Sequence, residues 1–134
     1  MNEVIKGMGF HHIALEANDF EATLAFYKAL GMKEVSRWGT PEKTIAMLDV
    51  GDGGIIEIFS DGSDDKFFPN GKWAHFALGV DDVDEAFHIA VKAGGVPKIE
   101  PKSVPLDAVP EKKTIRIAFV YGPSGEEIEF FKYV

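Results

Sequence analysis

The sequence predicts an α+β fold built from two β-α-β-β-β modules. Residues 10–31 (FHHIALEANDFEATLAFYKALG) match residues 73–94 (WAHFALGVDDVDEAFHIAVKAG) at a constant shift of 63 positions. Both copies open with a period-two strand pattern, continue with a helical pattern and then return to period two. Two copies at so long a period indicate paired supersecondary modules rather than a solenoid.

The composition is that of one globular domain covering residues 1–134, with module one at about 9–60 and module two at about 73–133. The chain is 46% hydrophobic and 27% charged, which is near the globular average. Its formal net charge of −8 disfavours nucleic acid, because phosphate backbones are also negative. No apolar run reaches the roughly 18 residues of a membrane span, so we expect a cytoplasmic protein without a membrane partner.

Each module is predicted to contain one helix and four strands. Asn18 and Asp81 are the expected helix N-caps, and Gly31 and Gly94 stand where a left-handed C-terminal residue is expected. Residues 96–113 contain four prolines, which predicts an irregular, functional loop after a short strand. The expected strands are residues 10–17, 34–38, 44–50 and 54–60 in module one, and 74–80, 96–100, 114–121 and 126–133 in module two.

Four polar residues interrupt these strands on the face opposite their large apolar side chains. They are His12, Glu57, His75 and Glu129. Any one of them alone is readily explained as a solvated strand residue. Together, however, the two histidines occupy equivalent first-strand positions and the two glutamates equivalent last-strand positions. Two imidazoles and two carboxylates suit a divalent ion of the Zn, Ni, Co, Fe or Mn group. Cysteine is absent, so thiolate ligands are excluded.

Motifs along nearly the whole chain resemble the vicinal oxygen chelate superfamily. They are HHIALEANDFEATLAFYKALGMKE, GGIIEIFS, WAHFALGVDDVDEAF and YGPSGEEIEFF. The superfamily includes glyoxalase I, methylmalonyl-CoA epimerase, extradiol dioxygenases and fosfomycin- and bleomycin-resistance proteins. The resemblance implies a glyoxalase-like fold, in which an open, mostly antiparallel, cup-shaped sheet surrounds a metal. It also implies that His12, Glu57, His75 and Glu129 are the metal ligands.

The order of ligand types, His-Glu-His-Glu, resembles that of bacterial glyoxalase I. This resemblance implies nickel or zinc before iron, cobalt or manganese, and a carbon–sulfur lyase, isomerase or epimerase. Such an enzyme moves a proton through a metal-chelated enediolate of a small oxygenated substrate, and Glu129, or else Glu57, is the expected proton carrier. Two alternatives are an extradiol-type Fe(II) dioxygenase that uses His12, His75 and Glu129, and a non-catalytic small-molecule binding or resistance protein.

One position departs from the glyoxalase I pattern. That enzyme typically has an arginine four residues after the first histidine, which binds glutathione, whereas this chain has Glu16. The chain contains only two arginines, Arg37 and Arg116, which are the candidates to compensate as substrate-binding cations.

Two aromatic residues are further substrate-binding candidates. Phe59 and Phe131 each lie two residues after a ligand glutamate and therefore share its strand face. The resemblance also implies a homodimer, whose site is built either within one chain or from two subunits.

Overall fold

The elements of the computed structural model follow the order β-α-β-β-β twice, which confirms the predicted fold class. The structure describes residues 1–29, 31–60, 73–122 and 125–134. The elements are β1 (Gly9–Glu16), α1 (Phe20–Ala29), β2 (Lys33–Gly39), β3 (Thr44–Asp49), β4 (Ile55–Phe59), β5 (Trp73–Gly79), α2 (Val83–Lys92), β6 (Val96–Leu106), β7 (Lys113–Tyr121) and β8 (Glu127–Tyr133).

The chain divides into two compact units, named here after their helices. The α1 unit comprises His12–Ala74 and Asp107–Lys112, and the α2 unit comprises Met1–His11, His75–Leu106 and Lys113–Val134. Neither ten-residue helix, and no other helix in the described ranges, is long and apolar enough to cross a bilayer. The module boundaries drawn from the repeat stay a prediction.

In the α1 unit the strands lie in the order β2-β3-β4-β1. The β2–β3 and β3–β4 pairs are antiparallel, whereas β4 pairs with β1 in parallel. Leu24 of α1 packs on one face of these strands, against Ala46, Leu48 and Ile58. Because strand side chains alternate, His12 and Glu57 lie on the opposite face.

The α2 unit repeats this arrangement with the strand order β5-β8-β7-β6. The β5–β8 pair is parallel, and the β8–β7 and β7–β6 pairs are antiparallel. Val83 and Phe87 of α2 pack on Ala118, Val120 and Phe130. His75 and Glu129 lie on the face of the strands away from this core.

Both predicted N-caps were wrong by one residue. The backbone N–H of Ala22 donates to the carboxylate of Asp19 over 3.0 Å, and that of Glu85 donates to Asp82, also over 3.0 Å. The helices begin later because sheet pairing continues past each first strand. The N–H of Ala17 still donates to β4, and the N–H of Val80 still donates to β8.

Both helices end as the sequence predicts. Gly31 has a φ of +97° and Gly94 a φ of +112°, the left-handed region that side chains with a Cβ avoid. The repeated glycines therefore mark the C-terminal end of each helix.

The short strand predicted at residues 96–100 is confirmed as part of a longer one, and the prediction of an irregular loop was wrong for residues 101–106. Residues Val96–Leu106 form the eleven-residue strand β6, which contains Pro97, Pro101 and Pro105. Among the described strands β6 pairs with β7 alone, and its register shifts around Ile99. An edge strand tolerates proline because the missing N–H falls on its unpaired side or in a bulge.

The cap assignment predicts a measurable stability difference. We expect Asp82→Ala to lower the free energy of unfolding by about 1 kcal/mol, because the N–H of Glu85 loses its acceptor. Asp82→Asn retains a side-chain oxygen and is the matched control, with a loss of only a few tenths of a kcal/mol. Urea unfolding of the three proteins measures the difference, and equal losses in both variants would contradict the cap.

Candidate functional site

The α1 unit holds a buried imidazole–carboxylate pair on neighbouring parallel strands. His12 of β1 is fully buried, and its Nε2 lies 3.6 Å from Oε1 of Glu57 on β4. Glu57 is directly opposite Ala14 in the parallel register. His12 lies two residues before Ala14 on β1, so its side chain is on the same face as that of Glu57. The 3.6 Å separation exceeds hydrogen-bond length but keeps the two ligand-type atoms side by side.

The α2 unit holds the equivalent pair. His75 of β5 lies with its Nε2 3.0 Å from Oε2 of Glu129 on β8, and both side chains are buried to more than nine-tenths. Glu129 is directly opposite Ala77, as Glu57 is opposite Ala14. The structure therefore brings the four predicted ligands together as two pairs with the same strand relation, one in each unit.

These pairs satisfy the requirements of a metal ligand set. A buried carboxylate needs a compensating positive charge, since transfer of an ion out of water is costly. Imidazole nitrogen and carboxylate oxygen are donors to first-row divalent metals, and His12, Glu57 and His75 offer atoms of the kind that could hold such an ion. The neighbours Ala14 and Ala77 are small and fully buried. The residues present thus fit a divalent metal.

Aromatic rings line the ligand-bearing face of the α2 unit. Phe119 lies edge-on to His75, with ring centroids 5.2 Å apart. Phe131 is almost fully buried, because the rings of His11 and Tyr133 cover it. Their ring centroids lie 4.2 Å and 4.9 Å, respectively, from the centroid of the Phe131 ring. Phe131 occupies the predicted face, and its substrate-binding role stays a prediction.

Phe59 occupies the corresponding position in the α1 unit but is only half-buried. Its register partner is Glu16, and the ammonium of Lys43 lies 5.9 Å from its ring centroid. An aromatic ring, a carboxylate and an ammonium group therefore adjoin on the face that carries Glu57. The predicted substrate-binding role of Phe59 also stays a prediction.

Arg37 lies on the face that packs against α1, away from Glu57. Its guanidinium donates to Glu34 through Nε over 2.9 Å and through Nη2 over 2.6 Å, and it lies 5.5 Å from the ring centroid of Phe20. It holds the pKa of Glu34 below the ordinary value, and the ammonium of Lys28 adds to this effect.

Arg116 has the same arrangement beside α2. Its Nε and Nη2 donate to the two carboxylate oxygens of Asp84 over 2.5 and 2.6 Å, and its Nη1 donates to Ser103. This bidentate contact lowers the pKa of Asp84. Both arginines thus bind carboxylates on the helix-packed faces, and the substrate-binding role predicted for them stays untested.

A cation that the sequence pattern did not indicate lies on the ligand-bearing face of the α2 unit. The ammonium nitrogen (Nζ) of Lys98, on β6, lies 2.5 Å from Oε2 of Glu127. It also lies 5.7 Å from the ring centroid of Phe119 and 5.6 Å from that of Tyr121. Lys98 lies within the short strand predicted at residues 96–100, but the register shift around Ile99 removes the alternation that would have indicated its face.

The fold and the two His–Glu pairs define a duplicated α+β protein with side chains of the kind that could hold a metal ion. A sequence model of the Glyoxalase/Bleomycin resistance protein/Dioxygenase superfamily matches residues 9–130. The chain therefore belongs to that superfamily, which confirms the resemblance seen in the motifs. Members of this superfamily typically bind a divalent metal and act on small molecules.

Individual relatives agree with this assignment. The chain is 32% identical over 129 residues to a lactoylglutathione lyase of Haemophilus influenzae, covering 90% of both chains. It is 29% identical over 127 residues to a probable lactoylglutathione lyase of Vibrio cholerae, covering 90% of this chain and 88% of the relative. The structure of methylmalonyl-CoA epimerase from Mycobacterium tuberculosis superposes with a TM-score of 0.71 at 18% identity, over 98% of this chain and 91% of that one. The last comparison shows the shared fold.

The contact between Arg37 and Glu34 predicts a pH-dependent contribution to stability. Because the folded-state pKa of Glu34 is lowered from 4.5, its ionised form stabilises the fold above that pH, and the contribution is lost as the pH falls through the folded-state value. We expect Glu34→Gln to lower the free energy of unfolding by about 1 kcal/mol or less at pH 7. The loss should become progressively smaller below about pH 4.

Urea unfolding between pH 7 and pH 3 measures this difference. The control is Glu42→Gln, at an exposed glutamate in the turn after β2. It should change the free energy of unfolding little at either pH. A pH-independent cost for Glu34→Gln would contradict an electrostatic origin.

Proposed function

We propose that this protein is a metal-dependent, glyoxalase-like lyase or isomerase that moves a proton on a small oxygenated substrate. The observation that carries the proposal is the repeat-related burial of two His–Glu pairs on equivalent strands. The fold does not require buried imidazole–carboxylate pairs at these two repeat-related positions, because apolar side chains could be buried there at a lower cost in desolvation free energy. The superfamily relationship supports the same reading.

His12, Glu57, His75 and Glu129 are proposed as the ligands of a divalent ion, with nickel or zinc ahead of iron, cobalt or manganese. Neutral imidazole and carboxylate donors suit these metals. When bound, the ion supplies a Lewis acid that stabilises negative charge on substrate oxygens. The ligands come either from one chain or from two subunits.

Glu129 is proposed as the residue that takes up and returns the substrate proton, with Glu57 as the alternative. A carboxylate can accept a proton in one step and donate it in the next. The hydrogen-bond distance to His75 orients the Glu129 carboxylate. Phe119 and Ala77 are directly opposite Glu129 on its two neighbouring strands and help to exclude water around it. Return of the proton to the adjacent carbon is isomerisation, and return to the same carbon is epimerisation.

The charges around the two pairs favour a substrate other than a glutathione adduct. Glutathione carries carboxylates, and Glu16 beside Phe59 repels them on the face that would otherwise offer an arginine. Arg37 and Arg116 already bind carboxylates beside the helices. Phe59 and Phe131 are proposed to contact apolar parts of a smaller substrate. A cytoplasmic homodimer is proposed as the working form.

Metal analysis tests the ligand set. We expect elemental analysis of the untreated protein to find nickel or zinc, and His12→Ala or His75→Ala to reduce the bound metal to background. His88→Ala is the matched control, because His88 lies on α2 and contacts the carbonyl oxygen of Asp84. Metal retained in both ligand variants, or absent from the wild type, would overturn the proposed site.

Turnover tests the reaction. We expect metal-dependent conversion within a panel of 2-oxoaldehyde–thiol adducts and acyl-CoA esters, and a kcat reduced about 10²- to 10⁴-fold by Glu129→Gln. Glu127→Gln, two residues away on the same face, controls for a general change in charge. Oxygen consumption with a catechol would instead support the dioxygenase alternative, and a metal-loaded protein inactive on the whole panel would contradict the lyase assignment.

A further inference from the structure

Lys98 lies on the ligand-bearing face of the α2 unit, at the end where β7 finishes and β8 begins. Its ammonium group contacts the carboxylate of Glu127. The rings of Phe119 and Tyr121 lie within the roughly 6 Å over which an aromatic face attracts a cation, as the contacts described above show. We call these four residues the Lys98 cluster. The side chain of Lys98 remains 30% exposed, so a small molecule can reach its ammonium group.

The Lys98 cluster adjoins the His75–Glu129 pair through one aromatic ring. The Phe119 ring meets the imidazole of His75 edge-on, and Phe119 is directly opposite Glu129 in the β7–β8 register. Glu127 lies two residues before Glu129 on β8, so the two carboxylates are on the same face. A molecule bound beside His75 and Glu129 therefore has a cation within reach, on the far side of the Phe119 ring.

The other module shows that the fold does not require a cation at this place. In the α1 unit, Met47 is directly opposite Glu57. Asp49 and Ile55 form the next directly opposite pair on that face. These residues stand where the α2 unit has two aromatic rings and a glutamate, and none of them is aromatic or basic. Packing of the strands alone therefore does not account for Lys98 and its neighbours.

The charge of the chain indicates what this cation is for. With a formal net charge of −8, the protein as a whole repels anions, so an anionic substrate needs a local cation. An ammonium group has three N–H donors, and its contact with Oε2 of Glu127 uses one of them. A single lysine balances one negative charge. This suits a carboxylate better than a phosphate group, which carries nearly two charges at neutral pH.

We propose that Lys98 binds a carboxylate of the substrate, with the Phe119 ring between this contact and His75. This assignment rests on the proposed function, because it requires a substrate at the His75–Glu129 pair. Glu127 competes with the substrate for Lys98 and keeps the ammonium group on this face when no substrate is bound. The substrate class is then a small oxygenated acid with a carboxylate at the end remote from the reacting carbons.

Calorimetric titration of the metal-loaded chain with two 2-oxo acids of equal length tests this assignment. 2-Oxoglutarate carries a carboxylate at its far end, whereas 2-oxopentanoate carries a methyl group there. We expect 2-oxoglutarate to bind at least about 10-fold more tightly, because Lys98 donates to its far carboxylate. Lys98→Met should remove this preference and leave the affinity for 2-oxopentanoate unchanged. The matched control is Lys92→Met, at an exposed lysine in the last turn of α2, which should retain the preference.

Glu127→Gln separates a substrate-binding lysine from an ion pair that only joins two strands. Removal of the competing carboxylate should tighten the binding of 2-oxoglutarate about 3- to 10-fold, and should leave that of 2-oxopentanoate nearly unchanged. A merely structural pair predicts instead that Lys98→Met and Glu127→Gln lower the thermal stability alike and alter neither affinity.

Three results would overturn the assignment of Lys98. They are equal affinities of the wild type for the two acids, a preference that persists in Lys98→Met, and failure of both acids to bind. Elemental analysis of the same samples distinguishes this failure from that of the proposed function. If 2-oxopentanoate binds a metal-loaded chain that shows no preference, the role of Lys98 is wrong and the metal site stands. If the chain retains no metal, the proposed function fails as well.

Discussion

The parallel pairing of the first and last strands in each module is the constraint on which the candidate site depends. Parallel strands cannot be joined by a tight turn and need a long crossover, which the helix and the two intervening strands supply. The pairing places Glu57 opposite Ala14 and Glu129 opposite Ala77. Each histidine, two residues before its alanine, is therefore beside its glutamate on the same face. A shift of one residue would turn either partner to the helix side.

The two faces of each sheet segment use charge in different ways. On the helix-packed faces, Arg37 and Arg116 form bidentate contacts with carboxylates, and these contacts lower the pKa of Glu34 and Asp84. The contact between Arg116 and Asp84 also joins β7 to α2. On the other faces, imidazoles adjoin carboxylates at buried positions. A permanently charged guanidinium would neutralise the carboxylate, whereas an imidazole leaves it able to bind a metal ion. The distribution of arginine and histidine thus separates stabilising contacts from candidate chemistry.

The sequence was sufficient to predict whatever depends on alternation and repetition. The β-α-β-β-β order of elements along both modules, the faces of His12 and Glu129 and the glycines that end the helices all follow from local spacing. The N-caps were predicted one residue early, because the backbone of Ala17 still hydrogen-bonds to β4 after β1 has ended. Such a backbone hydrogen bond does not alter the pattern of side chains in the sequence. Strand β6 was predicted to end at residue 100 instead of Leu106, because prolines predict a loop unless the strand is known to lie at an edge. The contact between Arg116 and Asp84 spans 32 positions, so only the tertiary fold reveals it.

The repeat also shows where the two modules have diverged. His and Glu recur at equivalent positions, but Glu16 of module one aligns with Gly79 of module two. Beside Gly79, Phe131 is covered by His11, whose Cβ would lie 3.9 Å from a Cβ added to the glycine. Beside Glu16, Phe59 remains half-buried. A Cβ at position 79 would be in ordinary van der Waals contact with His11, so a side chain as long as that of Glu16 would meet the residue that covers Phe131. The α2 unit encloses its aromatic ring, whereas the α1 unit leaves Phe59 half-buried. This asymmetry leaves both His–Glu pairs intact and leaves the ring of Phe59 in the α1 unit more exposed than that of Phe131 in the α2 unit.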